Sequence, residues 1–193
     1  MTPDSYIRVH DNVVPHSYCQ QLIGLFHNCP HIHSGEAQGY GVPQGHKICD
    51  EIHIREVFLN EKDPQAIEMW KRVDQQIFSY INPLLVKYID EFKVLQGQPI
   101  RDEGFRFKRY PKDQGKFGLH VDMTPTTPTR VMAIILYLND VEEGGETDFP
   151  WQELKVAPRA GRVCIAPTYW THPHLSRIPI SHDKYIVNNF AIF

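Results

Sequence analysis

Nine consecutive residues, Arg130-Val131-Met132-Ala133-Ile134-Ile135-Leu136-Tyr137-Leu138, carry apolar side chains at every position after the first. The run ends at a Thr/Pro loop (Thr124 to Pro128) on one side and at Asn139-Asp140 on the other, and it offers no polar face to water. It is far too short to cross a bilayer as a helix, which takes about 20 apolar residues. A short, bounded, uniformly apolar run of this kind is the mark of a central strand covered on both sides. Such a strand needs a second layer of sheet on one face and a further layer on the other, and this requirement governs the reading of the rest of the chain.

From residue 100 onward the period is strand-like. Phe105 and Phe107 alternate with Arg106 and Lys108 before Tyr110-Pro111 and the turn Lys112-Asp113-Gln114-Gly115. Glu142-Glu143-Gly144-Gly145-Glu146 is a tight turn leading into Thr147-Asp148-Phe149-Pro150. Pro158-Arg159-Ala160-Gly161 lies between Lys155-Val156-Ala157 and Arg162-Val163-Cys164-Ile165, and its turn chemistry predicts a hairpin. The last strand runs over 184–193. The first hundred residues read differently. Tyr18, Leu22, Leu25 and Phe26 recur at helical spacing after Pro15, and Asp63-Pro64 forms a cap and first turn for a helix carrying Ile67, Trp70, Val73, Ile77 and Ile81. Pro83 is expected to kink or end that helix, with Leu84, Leu85, Tyr88, Ile89 and Phe92 forming a second apolar face beyond it. A strand at a sheet edge is expected within 48–59, where Ile48, Ile52 and Ile54 alternate. Residues 30–47 are rich in Gly and Pro and read as a long loop, a candidate lid over a site or a plain linker. The expected architecture is a mainly β, α+β chain: a double-stranded β-helix of the jelly-roll or cupin-like barrel type over 100–193, buttressed by helices from 1–99, all in one domain.

A formal net charge of -3 over 193 residues gives no basic footprint, so gripping nucleic-acid phosphate is disfavoured. No apolar run is long enough to span a membrane, and Met1-Thr2-Pro3-Asp4-Ser5 does not resemble a secretory signal, so the cytoplasm is the expected compartment. Cys19, Cys29, Cys49 and Cys164 form no CxxC pair and read as reduced thiols. Among eleven histidines, His31-x-His33 reads as a solvated loop. Gly45-His46-Lys47 lacks the ending of a phosphate loop. His120-Val121-Asp122 is the pair with chemical promise. An imidazole and a carboxylate two residues apart share one face of an extended segment, so both can reach one ion. A second histidine from elsewhere would complete the two-His, one-carboxylate facial set of non-haem Fe(II) oxygenases.

In order along the chain, Arg109-Tyr110, His120-Val121-Asp122, Arg130 at the head of the apolar strand, Glu143-Gly144-Gly145-Glu146-Thr147-x-Phe149-Pro150, Pro158-x-x-Gly161, and a distal His followed by Lys184-Tyr185-Ile186 resemble the Fe(II)- and 2-oxoglutarate-dependent dioxygenases, in particular their prolyl 4-hydroxylase-like branch. The resemblance spans roughly residues 100 to 193. It implies Fe(II) held by His120, Asp122 and a distal histidine. Two histidines compete for that place in Trp170-Thr171-His172-Pro173-His174; His174 precedes Lys184 by ten positions, the family's spacing, and is preferred over His172. The resemblance further implies that Lys184 pairs the distal carboxylate of 2-oxoglutarate, with His182 or Arg177 sharing the role if the ligand is His172. It implies that Tyr110 and Thr147 also contact the cosubstrate, and that Arg130 and Phe190 lie near substrate. Many relatives carry Trp where this chain has Phe190.

The activity implied is hydroxylation of an unactivated C–H with release of succinate and carbon dioxide, consuming O2, with ascorbate as a reductant. Asp122 argues for hydroxylation, because halogenating relatives replace this carboxylate by a small residue. A proline-containing peptide or protein is the expected substrate. The alternatives are a free amino acid or other small molecule, a nucleic-acid oxidative demethylase, and a non-catalytic metal-binding barrel.

Overall fold

The computed structural model describes residues 5–35 and 43–193. In chain order the elements are β1 (Arg8–His10), α1 (His16–Asn28), β2 (His33–Ser34), β3 (Lys47–Ile48), β4 (Asp50–His53), α2 (Ile54–Asn60) and α3 (Pro64–Glu91), followed by β5 (Arg101–Asp102), β6 (Arg106–Tyr110), β7 (Lys116–His120), β8 (Arg130–Tyr137), β9 (Thr147–Phe149), β10 (Leu154–Val156), β11 (Val163–Pro167), β12 (His174–Ser176) and β13 (Lys184–Ile192). They form two sheets. The larger has eight strands in the order β1-β11-β8-β13-β6-β4-β2 with β5 added to β13, and the smaller has five in the order β10-β9-β12-β7-β3. The fold is the expected double-stranded β-helix as two facing sheets. Among the described residues no ladder joins them into a closed barrel.

β8 sits where its composition demands, between β11 and β13 in the larger sheet. Met132, Ile134 and Leu136 face the helices, packing in one core with Leu22 and Phe26 of α1 and Trp70, Val73, Ile77 and Ile81 of α3. Ile135 and Tyr137 face the other way, into a second core between the sheets with Tyr110, Phe149, Val156, Cys164 and Ile186. The helices therefore cover one side of the large sheet and leave the other side to face the small one. Removing a fully buried aliphatic such as Ile77 from the helix side, as Ile77→Ala, will lower stability by about 2–5 kcal/mol in a denaturant titration.

Three expectations need correction. The chain within 48–59 is not one edge strand: Ile48 belongs to β3 at the edge of the smaller sheet, but β4 lies between β6 and β2 in the larger one and residues from Ile54 form α2. Ile54 and Val57 are buried three apart while Arg55, Glu56 and Leu59 face water, which is helical spacing. Pro83 does not end α3, and the helix runs unbroken for 28 residues. Pro83 and Ser79, whose carbonyl it deprives of a partner, both lie on the exposed face, where water takes the lost hydrogen bond. Pro83→Ala will restore that bond and raise stability, by at most about 3 kcal/mol, as an upward shift of the denaturation midpoint. Finally, the two arms around Pro158 to Gly161 are not a hairpin. β10 pairs with β9 in the small sheet and β11 with β8 and β1 in the large one, so the turn carries the chain from one sheet to the other. Turn residues show that a chain reverses, not that its arms share a ladder.

Of the loop expected over 30–47, residues 36–42, including Gly39 and Gly41, lie outside the described residues, and so does its expected role as a lid; its flanks pair as β2 and β3. No helix is long and apolar enough to cross a membrane among the described residues. All four cysteines are free and buried.

Candidate active site

β7 and β12 are antiparallel neighbours in the small sheet, and their register places His120 opposite His174. The two imidazoles face each other with ring centroids 4.4 Å apart. Asp122, just past the end of β7, completes the group: its Oδ1 is 3.6 Å from His120 Nε2 and its Oδ2 is 3.4 Å from His174 Nε2. One donor atom from each of the three lies within 4.8 Å of the others. Donor atoms about 2.1 Å from one ion at right angles lie about 3 Å apart, so the spacing suits three adjacent ligand positions after small adjustment.

The second nitrogen of each ring fixes which atom faces Asp122. His120 Nδ1 lies 2.8 Å from the Gly118 carbonyl oxygen and His174 Nδ1 lies 3.2 Å from that of His172. A carbonyl can only accept, so each Nδ1 carries a proton, and each Nε2 is the nitrogen turned toward the carboxylate. With both rings in their neutral form, the three groups present converging acceptors, which are mutually repulsive. A cation resolves that arrangement, and the donor set of two imidazoles and one carboxylate suits ferrous iron. The environment favours the metal-binding protonation states of His174 and Asp122. Burial, with His120 nearby, pushes the His174 imidazole down to about 4. Burial raises the Asp122 carboxyl, but His174, His120 and Lys108 outweigh it and hold the group well below the usual carboxylate range. Phe117 stacks on the His120 ring at 3.5 Å between centroids, and Phe149 packs against His174 at 5.1 Å, so both rings have one fixed orientation.

The cluster forms one wall of a cavity between the sheets, whose lining also includes Lys108, Tyr110, Thr147, Ser176, Lys184, Asn188 and Phe190. Lys184 stands at one end, 1% exposed, donating to Ser176 Oγ at 2.7 Å, with its ammonium 4.9 Å from the centre of the Tyr110 ring. Burial lowers its pKa to about 7. A buried ammonium with one neutral hydrogen-bond partner is poised for an anion. Thr147 is placed beside it by Gly144 and Gly145, whose φ values of 75° and 73° are left-handed and whose turn brings Gly145 against the Lys184 stem. Tyr137 donates to Thr147 Oγ1 at 2.7 Å and orients that hydroxyl.

The other predicted residues take different places. His172 lies outside the cluster; its Nε2 meets the Ser5 carbonyl oxygen at 2.8 Å and its Nδ1 meets Thr171 Oγ1 at 2.9 Å. Arg177 is bound to Asp148 and His182 to Glu142, so neither stands beside Lys184. Phe190 lines the cavity, whereas Arg130 lies behind it, stacked on its ring at 3.8 Å, paired with Glu103 at 2.7 and 2.8 Å, and donating to the Asp122 carbonyl oxygen at 3.3 Å. The sequence reading passed over Lys108, Phe117, Ser176 and Asn188. His33, read as solvated, does meet His53 and Glu56 at the surface.

Two facing sheets with a His-Asp-His cluster between them define the double-stranded β-helix of an iron-type oxygenase. The family model for the 2OG-Fe(II) oxygenase superfamily matches residues 105–191, and over that stretch the chain is similar to this superfamily. The likeness is to the prolyl 4-hydroxylases in particular. It is 36% identical to a probable prolyl 4-hydroxylase 9 of Arabidopsis thaliana over a match that covers 31% of this chain and only 27% of that protein. Its fold is that of the viral collagen prolyl hydroxylase of Paramecium bursaria Chlorella virus-1, solved with 2-oxoglutarate, at a TM-score of 0.67 and 18% identity, covering 96% of this chain and 95% of that one. It is equally that of a Trichoplax adhaerens prolyl hydroxylase solved with a hypoxia inducible factor peptide, at a TM-score of 0.68 and 17% identity, covering 97% and 84%.

Proposed function

We propose that this protein hydroxylates an unactivated C–H of a prolyl group, with His120, Asp122 and His174 holding Fe(II), and Lys184, Tyr110 and Thr147 holding 2-oxoglutarate. The observation that carries the reading is the pairing of a two-imidazole, one-carboxylate cluster with a buried, anion-seeking lysine in one cavity. When bound, iron and 2-oxoglutarate together activate dioxygen, the cosubstrate leaving as succinate and carbon dioxide.

The protein's own residues position and protect. The Gly118 and His172 carbonyls accept from the Nδ1 of each ligand imidazole and so turn its Nε2 toward the cluster. Arg130, held by Glu103, braces the backbone of Asp122 and thereby the carboxylate. Lys184 neutralises the far carboxylate of the cosubstrate, which would otherwise be a buried unpaired charge. Ala133, Ile135 and Ile186 line the cavity with apolar surface that excludes water from the reacting centre.

The prolyl assignment leans on the similar proteins, one named a collagen prolyl hydroxylase and another a prolyl hydroxylase in complex with a hypoxia inducible factor peptide. The cytoplasm is the proposed compartment, consistent with four unpaired thiols. Incubation with Fe(II), 2-oxoglutarate, ascorbate and a set of proline-containing peptides tests the reading by mass spectrometry. The expected result is a gain of one oxygen on proline, coupled to succinate. Oxygen gained only at residues other than proline would overturn the prolyl assignment.

A further inference from the structure

The cavity contains a second buried lysine that the roles above leave unused. β6 and β13 are paired so that Tyr110 lies opposite Lys184, Lys108 opposite Ile186, and Arg106 opposite Asn188. Side chains alternate along a strand, so Lys108 shares the cavity face with Tyr110, and Asn188 and Phe190 share it with Lys184. Lys108 thus stands two residue pairs along from the cosubstrate end, at the next position on the cavity face, toward Phe190.

Its surroundings do not satisfy it. Lys108 is 8% exposed and donates no hydrogen bond among the described residues. Its nearest carboxylate oxygen there is Glu51 Oε1, at 3.9 Å. That oxygen already accepts from Lys47 and lies 3.3 Å from Cys49 Sγ, while Glu51 Oε2 meets His53 Nε2 at 3.1 Å. Burial lowers the Lys108 pKa to about 8, which leaves it protonated at neutral pH. Asn188 is also buried in the lining, and its carboxamide oxygen has no hydrogen-bond partner. Between and around these two polar groups the wall is apolar: Ala133, Ile135, Ile186 and Phe190. An ammonium without an acceptor and a carboxamide oxygen without a donor, set in an apolar pocket, are complementary to an aliphatic body carrying both a carboxylate and an N–H.

We infer that Lys108 is a substrate anchor, binding a carboxylate that the substrate carries beside the carbon to be oxidised, with Asn188 receiving the substrate's N–H. The substrate class is a free amino or imino acid, or a residue at a peptide's C-terminus, rather than a residue within a chain. This rests on the oxygenase reading and narrows the prolyl group to one with its own free carboxylate.

The test uses wild-type protein loaded with Mn(II), which does not turn over, and 2-oxoglutarate, titrated calorimetrically with matched acids and amides: L-proline and L-prolinamide, glycyl-L-proline and its amide, L-leucine and L-leucinamide. The expected result is that at least one acid binds, ten-fold or more tightly than its amide, the size of effect a charge-assisted hydrogen bond gives. In Lys108→Met the preference should fall to within about three-fold while affinity for 2-oxoglutarate is retained. Amides that bind as well as acids, a failure of every acid to bind, or a Lys108→Met protein that loses 2-oxoglutarate instead would each overturn the inference. Binding of leucine and of neither prolyl acid would leave Lys108 in its role and defeat the prolyl reading alone. Should Lys108→Met not fold, the acid-to-amide ratio in the wild-type protein decides.

Discussion

Asp122→Ala protein will form no iron-dependent succinate from 2-oxoglutarate. Asp122 is the only anionic member of the cluster, and its two oxygens separately face His120 and His174. Without it two neutral imidazoles remain, and the charge that favours a divalent cation over water is gone. Loss of an outer-shell partner of a metal ligand costs roughly 10–100-fold in metal affinity or activity, and loss of the ligand itself should exceed this. The fold should survive, because Asp122 lies past the end of β7 and alanine leaves the Arg130 contact to its backbone intact. Circular dichroism of the variant should therefore match the wild type while succinate falls to the level of the iron-free control. Retained turnover would remove Asp122 from the ligand set.

Lys184→Met will raise the KM for 2-oxoglutarate steeply. The proposed cosubstrate pose buries its far carboxylate against this ammonium, and removing one partner of a buried charge pair costs about 2–5 kcal/mol, or some 30-fold to several thousand-fold in affinity. Methionine keeps the length and apolar stem, so the cavity wall persists. The change should appear in cosubstrate affinity, leaving metal affinity near that of the wild type, since Lys184 touches Ser176 and the Tyr110 ring rather than the His-Asp-His cluster. Were Arg177 or His182 the anchor, Lys184→Met would leave KM nearly unchanged. Their pairing with Asp148 and Glu142 argues against that outcome.

Periodicity made much of this legible. The unbroken apolar run of β8 could only be a strand covered on both sides, and the structure covers it with α1 and α3 on one face and the small sheet on the other. His120 and Asp122 declared themselves by spacing. Their partner did not, because His174 meets His120 through a cross-strand register between segments 54 residues apart, and no local pattern encodes such a pairing; only the resemblance supplied it. The false hairpin at Pro158 to Gly161 failed for the same reason, since a turn does not reveal which ladder each arm joins. That α3 continues past Pro83 was not legible, because the cost of proline in a helix depends on whether the stranded carbonyl reaches water, which is a matter of burial.

Lys108 is the instructive omission. Arg106 and Lys108 look like the solvent side of a strand whose core side is Phe105 and Phe107, yet Tyr110 has the same parity as Lys108. Once Tyr110 is assigned to the site, alternation carries Lys108 there too. The signal was present, and the habit of sending lysine to the surface concealed it. β6 is covered on both faces, with Phe107 against Trp70 on one side and Lys108 in the cavity on the other.

The most direct test of the central claim is anaerobic titration of the Fe(II)-loaded protein with 2-oxoglutarate, following the visible charge-transfer absorption of a 2-oxo acid chelated to ferrous iron. The account predicts a saturable band at one equivalent per chain in the wild-type protein and none in Asp122→Ala. A wild-type protein that takes up Fe(II) yet shows neither the band nor any calorimetric binding of 2-oxoglutarate would contradict it.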